Sequence, residues 1–514
     1  MIALAKRNIV LIYPKTGMDF GSTVAPPHSL LTIAAPLHKE GYRIKIIDQR
    51  VDKDWDKHLT DALRSNPICV GISSMTGIHI YFALKAAKFV RSMTDGKVPI
   101  VWGGPHPSIL PEQTLRNDYV DIVCVGEGDT TFYVLVKAIE ERRGLSGIKG
   151  IAFKDGDRVI VNPPAPLIDM EDLLPVPWEL IDVERYIHPD MYLKESSRTL
   201  DIGQTSRGCP FNCGFCCSAS LRMRKWRAMS VEKSLHAIVE PVRRFKLNGI
   251  WIRDDEFYID RERASRICEG IIKENLNISW YTSGTRVDVF NKASDDQTAL
   301  LKKSGAYVLK YGAESGSERI LKLVNKGITP QDTVKANLKA KKHGIIPAFS
   351  LMIGFPTETF EEIEKTIDLM YRLKRDNPAA QFEAIATYTA LPGTPMYESA
   401  LQNGLKPPDS LEGWIDWNFI DYDLKGERIP WFNYNDRKRI GNISYMSILA
   451  NGFRNAIDSL ENVFLRTTMK IFYTPVSLFY RFRLKRKWYN FSWDLMLIKY
   501  IRSKLFYKGY FTIR

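Results

Sequence analysis

The 514-residue sequence lacks three features that would each assign it to a particular class of protein. Its seven cysteines are an odd number without paired spacing, which argues against a secreted disulfide framework and for a reducing compartment. It has no run of about 18 or more apolar residues, so we expect no helix to span a membrane. The N-terminal stretch MIALAKRNIVLIYPK lacks the long apolar region and the small-residue cleavage site of a signal peptide. We therefore predict a cytoplasmic protein.

Acidic residues are nearly absent from the end of the chain. Between Arg466 and Arg514 there are twelve Lys or Arg residues and one acid, Asp494, so this tail supplies +11 of the formal net charge of +14. The same tail is rich in Phe, Tyr and Trp. We consider three interpretations in order of preference: a helical appendage packed on the neighbouring domain, peripheral attachment to an anionic membrane surface, and RNA binding, which we rank last.

The first part of the chain alternates apolar strand patterns with amphipathic helix patterns from Asn8 to about Val161. Continuous β-branched runs between helices are typical of a parallel sheet that is covered on both faces. We predict a doubly wound, Rossmann-like α/β domain over residues 1–161. Three of its strands run into the loops GISSMTG, WGGPHPS and GEGDTT, whose small residues let a bulky ligand approach the backbone.

A second alternation begins at about Thr199 and contains six strand–helix pairs. Its helices carry clear start signals, with capping boxes at Ser294 and Thr359 and a proline after Thr329. We predict a partial (β/α)6 TIM-type barrel over residues 199–400, whose site lies at the carboxyl ends of the strands. Residues 162–198 are predicted to be a Pro-rich linker, and residues 401–514 a C-terminal region that includes the basic aromatic tail.

Four of the seven cysteines lie in one short stretch, SRGCPFNCGFCCSA, just after the first barrel strand. Cys209, Cys213 and Cys216 have the spacing C-x3-C-x2-C. A closed zinc site needs a fourth ligand, and the only nearby candidate, Cys217, is adjacent to Cys216, so the two side chains would hardly reach one tetrahedral ion. A cubane iron–sulfur cluster held by three thiolates leaves one iron open, which is useful only if a substrate or cofactor binds there.

These residues resemble the radical S-adenosylmethionine superfamily. Further barrel stretches match strand ends of that superfamily: RDDEF, SGTR, GAESGS, IGFPTET and LPGTP. The N-terminal domain is similar to the cobalamin-binding domain that is fused to one large branch of the superfamily. The resemblance covers roughly residues 8 to 400 and implies a 4Fe-4S cluster, S-adenosylmethionine and cobalamin as cofactors.

The resemblance also implies roles for individual residues. Cys209, Cys213 and Cys216 would hold the cluster, which cleaves S-adenosylmethionine to a 5′-deoxyadenosyl radical. The carboxylates of Asp254 and Asp255 would accept hydrogen bonds from the amine of S-adenosylmethionine, and Arg286 would pair with its carboxylate. Glu314 and Ser315 would contact the amine or a ribose hydroxyl of S-adenosylmethionine. The electron would come from a donor such as flavodoxin or ferredoxin.

The expected cobalamin site departs from the best-known pattern. The stretch KTGMDFGSTVAPP after the first strand lacks the D-x-H-x-x-G motif whose histidine binds cobalt from below. We therefore predict base-off cobalamin, with its nucleotide tail near five small residues: Ser73, Ser74, Thr76, Gly103 and Gly104. His79 and His106 lie on the same loops, where we expect structural roles for them rather than cobalt ligation.

The resemblance favours one function over several others. We expect a cobalamin-dependent C-methyltransferase that acts on an unactivated carbon of a small molecule or lipid. The alternatives are a non-methylating enzyme, either an oxidative cyclase of a porphyrin-type ring or a lipid-modifying enzyme, and a non-enzymatic structural metal-binding protein. An RNA methylthiotransferase is disfavoured because Cys69 and Cys124 stand singly on predicted buried strands.

Overall fold

The structure, a computed structural model, describes residues 7–17, 19, 24–190, 192–193, 195–417, 423–453, 457, 460, 462–497 and 500. Residues 498–499 and 501–514 of the predicted basic tail lie outside the described residues. The chain divides into two compact units. The first contains Met1–Tyr186 and Pro407–Asn418, and the second contains Ile187–Lys406 and Phe419–Arg514.

The first unit is built on a seven-stranded sheet with the order β2-β1-β3-β4-β5-β6-β7. Its strands are β1 Asn8–Tyr13, β2 Arg43–Asp48, β3 Val70–Ser73, β4 Ile100–Gly103, β5 Ile122–Cys124, β6 Ile151–Asp155 and β7 Arg158–Val161. Strands β1 to β5 are parallel, which confirms the doubly wound fold. The last two strands depart from the predicted parallel pattern, because β6 pairs antiparallel with β5, and β7 pairs antiparallel with β6 across a tight turn at Gly156.

Helices connect the parallel strands of this unit: α1 His28–Lys39, α2 Trp55–Leu63, α3 Ile78–Thr94, α4 Pro105–Ile109, α5 Pro111–Leu115 and α6 Gly128–Glu140. The predicted linker of residues 162–198 is not a free connector throughout. Its residues up to Tyr186 belong to the first unit, where Trp178, Val183 and Tyr186 are buried and the Tyr186 hydroxyl donates to Asp48 at 2.9 Å. Burial of these apolar side chains fixes the segment in place.

The second unit contains a six-stranded, wholly parallel sheet with the order β15-β14-β13-β12-β11-β8. The strands are β8 Thr199–Asp201, β11 Gly249–Ile252, β12 Ser279–Thr285, β13 Ala306–Glu314, β14 Ile346–Ile353 and β15 Gln381–Thr387. A two-stranded ribbon, β9 Ser206–Arg207 and β10 Arg227–Ala228, follows the first strand. The sheet is the partial TIM-type barrel that the sequence predicts.

Three of the barrel helices begin where the sequence predicts, after Ser294, Thr329 and Thr359. The barrel helices are α7 Ser218–Leu221, α8 Val231–Arg244, α9 Arg261–Lys273, α10 Val287–Asn291, α11 Asp295–Lys303, α12 Glu318–Leu323, α13 Pro330–Lys342, α14 Phe360–Asp376 and α15 Pro395–Gln402. Capping boxes are formed at Ser294 and Thr359, and Thr329 forms a third with Asp332. Each box satisfies backbone N–H groups that the first helical turn leaves without partners.

The C-terminal segment of this unit covers the edge strand β15. It contains α16 Tyr434–Ser447, a π-helical turn Ile448–Gly452 and α17 Val463–Lys485. The Ser447 hydroxyl accepts from the Ile385 N–H at 2.8 Å, and the Ser444 hydroxyl donates to the Ile385 carbonyl at 2.7 Å. These contacts occupy backbone groups that an open edge would expose. Among the described residues, no helix is long and apolar enough to cross a membrane.

Candidate active site

The three predicted cluster cysteines lie on the loop between β9 and β10, at the carboxyl end of the first barrel strand. Gly208 opens this loop at φ +86°, and a Cβ there would lie 2.1 Å from the Lys225 carbonyl oxygen, so only glycine fits. In the middle of the loop, the Gly214 N–H donates to the Val324 carbonyl at 2.7 Å, and the Gly214 carbonyl accepts from Met396 at 2.9 Å. The loop is therefore held at both its start and its centre.

The thiols are close enough to affect one another. Burial raises the pKa of Cys209 to about 11 and that of Cys216 to about 12, and the neighbouring thiols contribute in the same direction. Metal binding by cysteine requires the thiolate, so ligation and proton release are coupled here. Within the described ranges, no three His, Cys, Asp or Glu side chains form a site for a single metal ion. A cluster differs from such a site because each thiolate binds its own iron.

Two cations lie beside Cys213. The Arg286 guanidinium NH1 donates to the Cys213 Sγ at 3.4 Å. Burial alone lowers the pKa of Lys326, but the charges of Glu314 and Cys213 outweigh it, so the pKa is raised and the lysine is charged. Positive charge at this position offsets the negative charge that three thiolates bring, so the donor set and its surroundings fit a cluster.

The structure gives Asp254 and Ser315 hydrogen-bond partners within the protein. The carboxylate of Asp254 is 1% exposed and accepts four hydrogen bonds, from the N–H and hydroxyl groups of Thr205 and Ser206, at 2.6–3.0 Å. A carboxylate has about four lone-pair positions, and these four bonds occupy them. Ser315 is fully buried and its hydroxyl contacts Thr366 and the Ser317 N–H. Both residues hold the loops around the site, and their contacts with S-adenosylmethionine stay predictions.

Asp254→Ala is expected to lower the free energy of unfolding by about 3 kcal/mol, because it leaves four buried donors without an acceptor. Chemical denaturation of the anaerobic holoenzyme measures this change, and iron content reports whether the cysteine loop has moved. Asp255→Ala is the matched control, since Asp255 is exposed and accepts one loop hydrogen bond. Equal midpoints for the two variants would contradict this role of Asp254.

The other three predicted S-adenosylmethionine residues lie around the cysteine loop. Asp255 accepts from the Gly208 N–H at 2.7 Å, and the rest of its exposed carboxylate can accept from a ligand. Arg286 stacks over the Phe211 ring at 3.7 Å and pairs with Asp288 at 2.9 Å. The contacts of Arg286 and Asp255 with S-adenosylmethionine stay predictions.

Glu314 forms a buried ion pair with Lys326 at 2.7 Å. Its backbone is in the left-handed region at φ +61°, an uncommon conformation for a non-glycine residue. A Cβ at Gly312 would lie 2.4 Å from a Glu314 carboxylate oxygen and 2.7 Å from the Lys326 Nζ. Gly312, the first glycine of the GAESGS stretch, therefore makes room for this ion pair.

Sequence reasoning missed two ionisable residues of the site. Burial raises the pKa of Glu256 to about 8, and its carboxyl group accepts from the Arg286 N–H at 2.7 Å and the Tyr258 N–H at 3.2 Å. The run of three acids in RDDEF could have indicated Glu256. Lys326 follows α12 in an ordinary polar stretch, and only the tertiary fold places it near Cys213.

Polar and aromatic side chains share the face of the barrel sheet that is opposite to the helices. The ring of Trp251 stacks on that of Tyr281, with 5.4 Å between the ring centroids. The guanidinium carbon of Arg253 lies 3.8 Å from the centroid of the Trp251 ring. Lys310 pairs with Glu383 at 2.8 Å. The neighbouring residues along these strands point the other way, towards the helices, since Tyr311 contacts Phe290 of α10. The first set therefore lines the concave side of the barrel.

The predicted cobalamin residues lie at the carboxyl ends of β3 and β4 of the first unit, where Ser73 and Gly103 are the last strand residues. Gly104 has φ +102°, and a Cβ there would lie 2.6 Å from the Ser74 carbonyl oxygen. The hydroxyl of Ser74 and the Nε2 of His106 are buried without a hydrogen-bond partner among the described residues. A close backbone approach next to unsatisfied polar atoms fits a polar ligand, so these loops can hold the tail of a cobalamin.

Both histidines of these loops have structural contacts. The His79 Nδ1 accepts from the Met75 N–H at 3.0 Å, and the His106 Nδ1 lies 3.0 Å from the Thr76 hydroxyl. Burial lowers the pKa of His79 to about 3 and that of His106 to about 4, so both imidazoles are neutral. Base-off binding of cobalamin stays a prediction.

Comparison with known proteins defines the class. The model of the radical SAM superfamily matches residues 204–370, and that of the B12 binding domain matches residues 22–136. An uncharacterized methyltransferase of Pyrococcus horikoshii is 35% identical over 404 residues, which are 77% of this chain and 84% of the relative. The anaerobic magnesium-protoporphyrin IX monomethyl ester cyclase of Rubrivivax gelatinosus is 26% identical over 73% of this chain and 66% of its own length.

A solved structure has the same fold. This structure is the cobalamin-dependent S-adenosylmethionine radical enzyme OxsB with aqua-cobalamin bound. It aligns with a TM-score of 0.71 at 20% sequence identity, and the alignment covers 96% of this chain and 75% of the OxsB chain. The chain belongs to the cobalamin-binding-domain-containing branch of the radical S-adenosylmethionine superfamily. It is an enzyme, and its cofactors are a 4Fe-4S cluster, S-adenosylmethionine and cobalamin.

Proposed function

We propose that this enzyme transfers a methyl group to an unactivated carbon atom. When bound, the cluster supplies the electron that cleaves S-adenosylmethionine, and cobalamin supplies the methyl group. The observation that carries the proposal is the presence in one chain of the three-cysteine loop and of glycine-rich loops with orphaned polar atoms. The 35% identity to a methyltransferase supports it.

The residues of the chain bind and orient the reactants. Cys209, Cys213 and Cys216 would hold the cluster, which would supply the electron for cleavage of S-adenosylmethionine. We assign an amine contact to Asp255 and a carboxylate contact to Arg286, since both lie against the cysteine loop. The aromatic lining of the concave barrel face excludes water from the acceptor, because the rings of Trp251 and Tyr281 occupy that space.

The enzyme needs two further partners under this proposal. A one-electron donor such as flavodoxin or ferredoxin reduces the cluster, because S-adenosylmethionine cleavage consumes an electron. We also propose a cytoplasmic enzyme that lies at an anionic membrane surface through its C-terminal region, in which basic and aromatic residues alternate. The acceptor is then a small molecule or a lipid.

An oxidative cyclase of a porphyrin-type ring, or another non-methylating enzyme, is the second candidate. It is supported by the 26% identity to the anaerobic cyclase over 384 residues. The two reactions leave different products. Methyl transfer with radical formation yields S-adenosylhomocysteine and 5′-deoxyadenosine in equal amounts, whereas a non-methylating reaction yields 5′-deoxyadenosine without S-adenosylhomocysteine.

Product analysis of the anaerobically reconstituted holoenzyme tests the proposal. The assay contains a reductant, S-adenosylmethionine labelled in its methyl group and an extract of the source cells. We expect both adenosine products and transfer of the label to an organic acceptor. Formation of 5′-deoxyadenosine with no S-adenosylhomocysteine would favour the cyclase-type reaction.

A further inference from the structure

Helix α17 exposes apolar side chains along most of its length. Among the described residues, fifteen exposed large hydrophobic side chains lie between Val463 and Tyr500, and eight lie in the rest of the chain. The most exposed are Phe464 at 81%, Phe472 at 72% and Ile471 at 66%. A soluble monomer rarely leaves a contiguous apolar surface of this kind in water, so a partner is expected to cover it.

The opposite face of α17 fixes the helix to the barrel unit. Tyr480 and Leu484 are buried, and the Ser477 hydroxyl donates to the Ala450 carbonyl at 2.6 Å. The Tyr371 hydroxyl of α14 donates to the Arg481 carbonyl at 2.8 Å. The helix therefore has its own packed face, and the exposed face is not needed to hold it in place.

The charge of α17 selects the kind of partner. The helix contains Lys and Arg but no acidic residue, and Lys470, Lys485 and Arg486 are exposed. A second copy of the chain would bring like charges together, which opposes self-association through this face. An anionic lipid surface supplies the opposite charge for the basic residues and an apolar phase for the rings.

We propose that the exposed face of α17 inserts into the headgroup region of an anionic membrane. The helix has 23 residues and is about 35 Å long. It lies in the plane of the membrane surface, because its opposite face stays packed against the barrel unit. This inference deepens the membrane attachment proposed above, and vesicle binding tests it independently of methyl transfer.

Co-sedimentation with vesicles tests the surface. The holoenzyme is mixed with vesicles of phosphatidylcholine alone or with phosphatidylglycerol added, at low and at high salt. We expect binding to the anionic vesicles that weakens with salt. The triple variant Phe464→Ser, Ile471→Ser, Phe472→Ser should bind at least about tenfold more weakly, because it removes apolar side chains that would be buried.

Matched controls separate charge, apolar contact and folding. Met93→Ser, Leu323→Ser and Leu338→Ser remove exposed apolar side chains of other helices, and this triple variant should bind as the parent does. Replacing Lys470, Lys485 and Arg486 with Gln should weaken binding at low salt by roughly a hundredfold, at about 1 kcal/mol per charge. Dimerisation or RNA binding through α17, without vesicle binding, would overturn the proposal.

Discussion

Replacing Cys209, Cys213 or Cys216 with Ala is expected to remove the iron–sulfur cluster and S-adenosylmethionine cleavage together. A cubane held by three thiolates loses a third of its protein ligands in each variant. We expect less than about 1% of the parent cleavage rate, because the electron reaches S-adenosylmethionine only through the cluster. Anaerobic iron and sulfide analysis, visible absorption and 5′-deoxyadenosine formation measure the effect.

Cys217→Ala is the matched control for these variants. Cys217 lies next to Cys216 on the same loop and is also partly buried, so its replacement perturbs the loop to a similar extent. We expect the cluster and the cleavage activity to remain. The ligand assignment is wrong if Cys217→Ala loses the cluster while Cys216→Ala keeps it.

Gly104→Val is expected to weaken cobalamin binding by at least about a hundredfold. The φ of +102° strains any residue with a Cβ, and the Cβ itself would lie 2.6 Å from the Ser74 carbonyl oxygen. The backbone must shift to relieve this contact, and the shift moves the loops that we assign to the cobalamin tail. Spectroscopic titration of the purified protein with hydroxocobalamin measures the affinity.

Gly156→Val separates loop strain from loss of the site. Gly156 also has a positive φ, at +62°, but a Cβ there meets nothing within 4 Å, and it lies in the β6–β7 turn. This variant should bind cobalamin as the parent does, with a base-off spectrum that His79→Ala also leaves unchanged. Equal loss of binding in the two glycine variants would mean that general destabilisation, and not the loop after β4, explains the effect.

The sequence predicted the loop that carries the three cysteines. Their spacing and their place after a strand are local properties, and the structure shows them on one tight loop with glycines beside them. Their role as cluster ligands stays a prediction. The orientation of Asp254 could not be predicted in this way. Asp254 and Asp255 are adjacent, so their side chains point in different directions, and only the fold shows that Asp254 faces Thr205 and Ser206.

Long-range features were also beyond sequence reasoning. Lys326 is near Cys213 because α12 returns to the cysteine loop, where Gly214 donates to Val324. The short segment Pro407–Asn418 was predicted as part of the C-terminal region, yet it belongs to the first unit, where Trp414 donates to Gln113 at 2.7 Å. Both hydrogen bonds join residues that are far apart in the sequence. Local sequence patterns do not predict such contacts, because they form only when the folded elements pack together.

The proposed reaction uses both radical chemistry and cobalamin to move a methyl group. Measuring 5′-deoxyadenosine and S-adenosylhomocysteine in the same anaerobic reaction, with and without cobalamin, tests it. We expect holoenzyme with cobalamin to make both products in equal amounts and cobalamin-free enzyme to make 5′-deoxyadenosine alone. S-adenosylhomocysteine formation that is independent of cobalamin, or acceptor turnover without it, would show that this reaction is wrong.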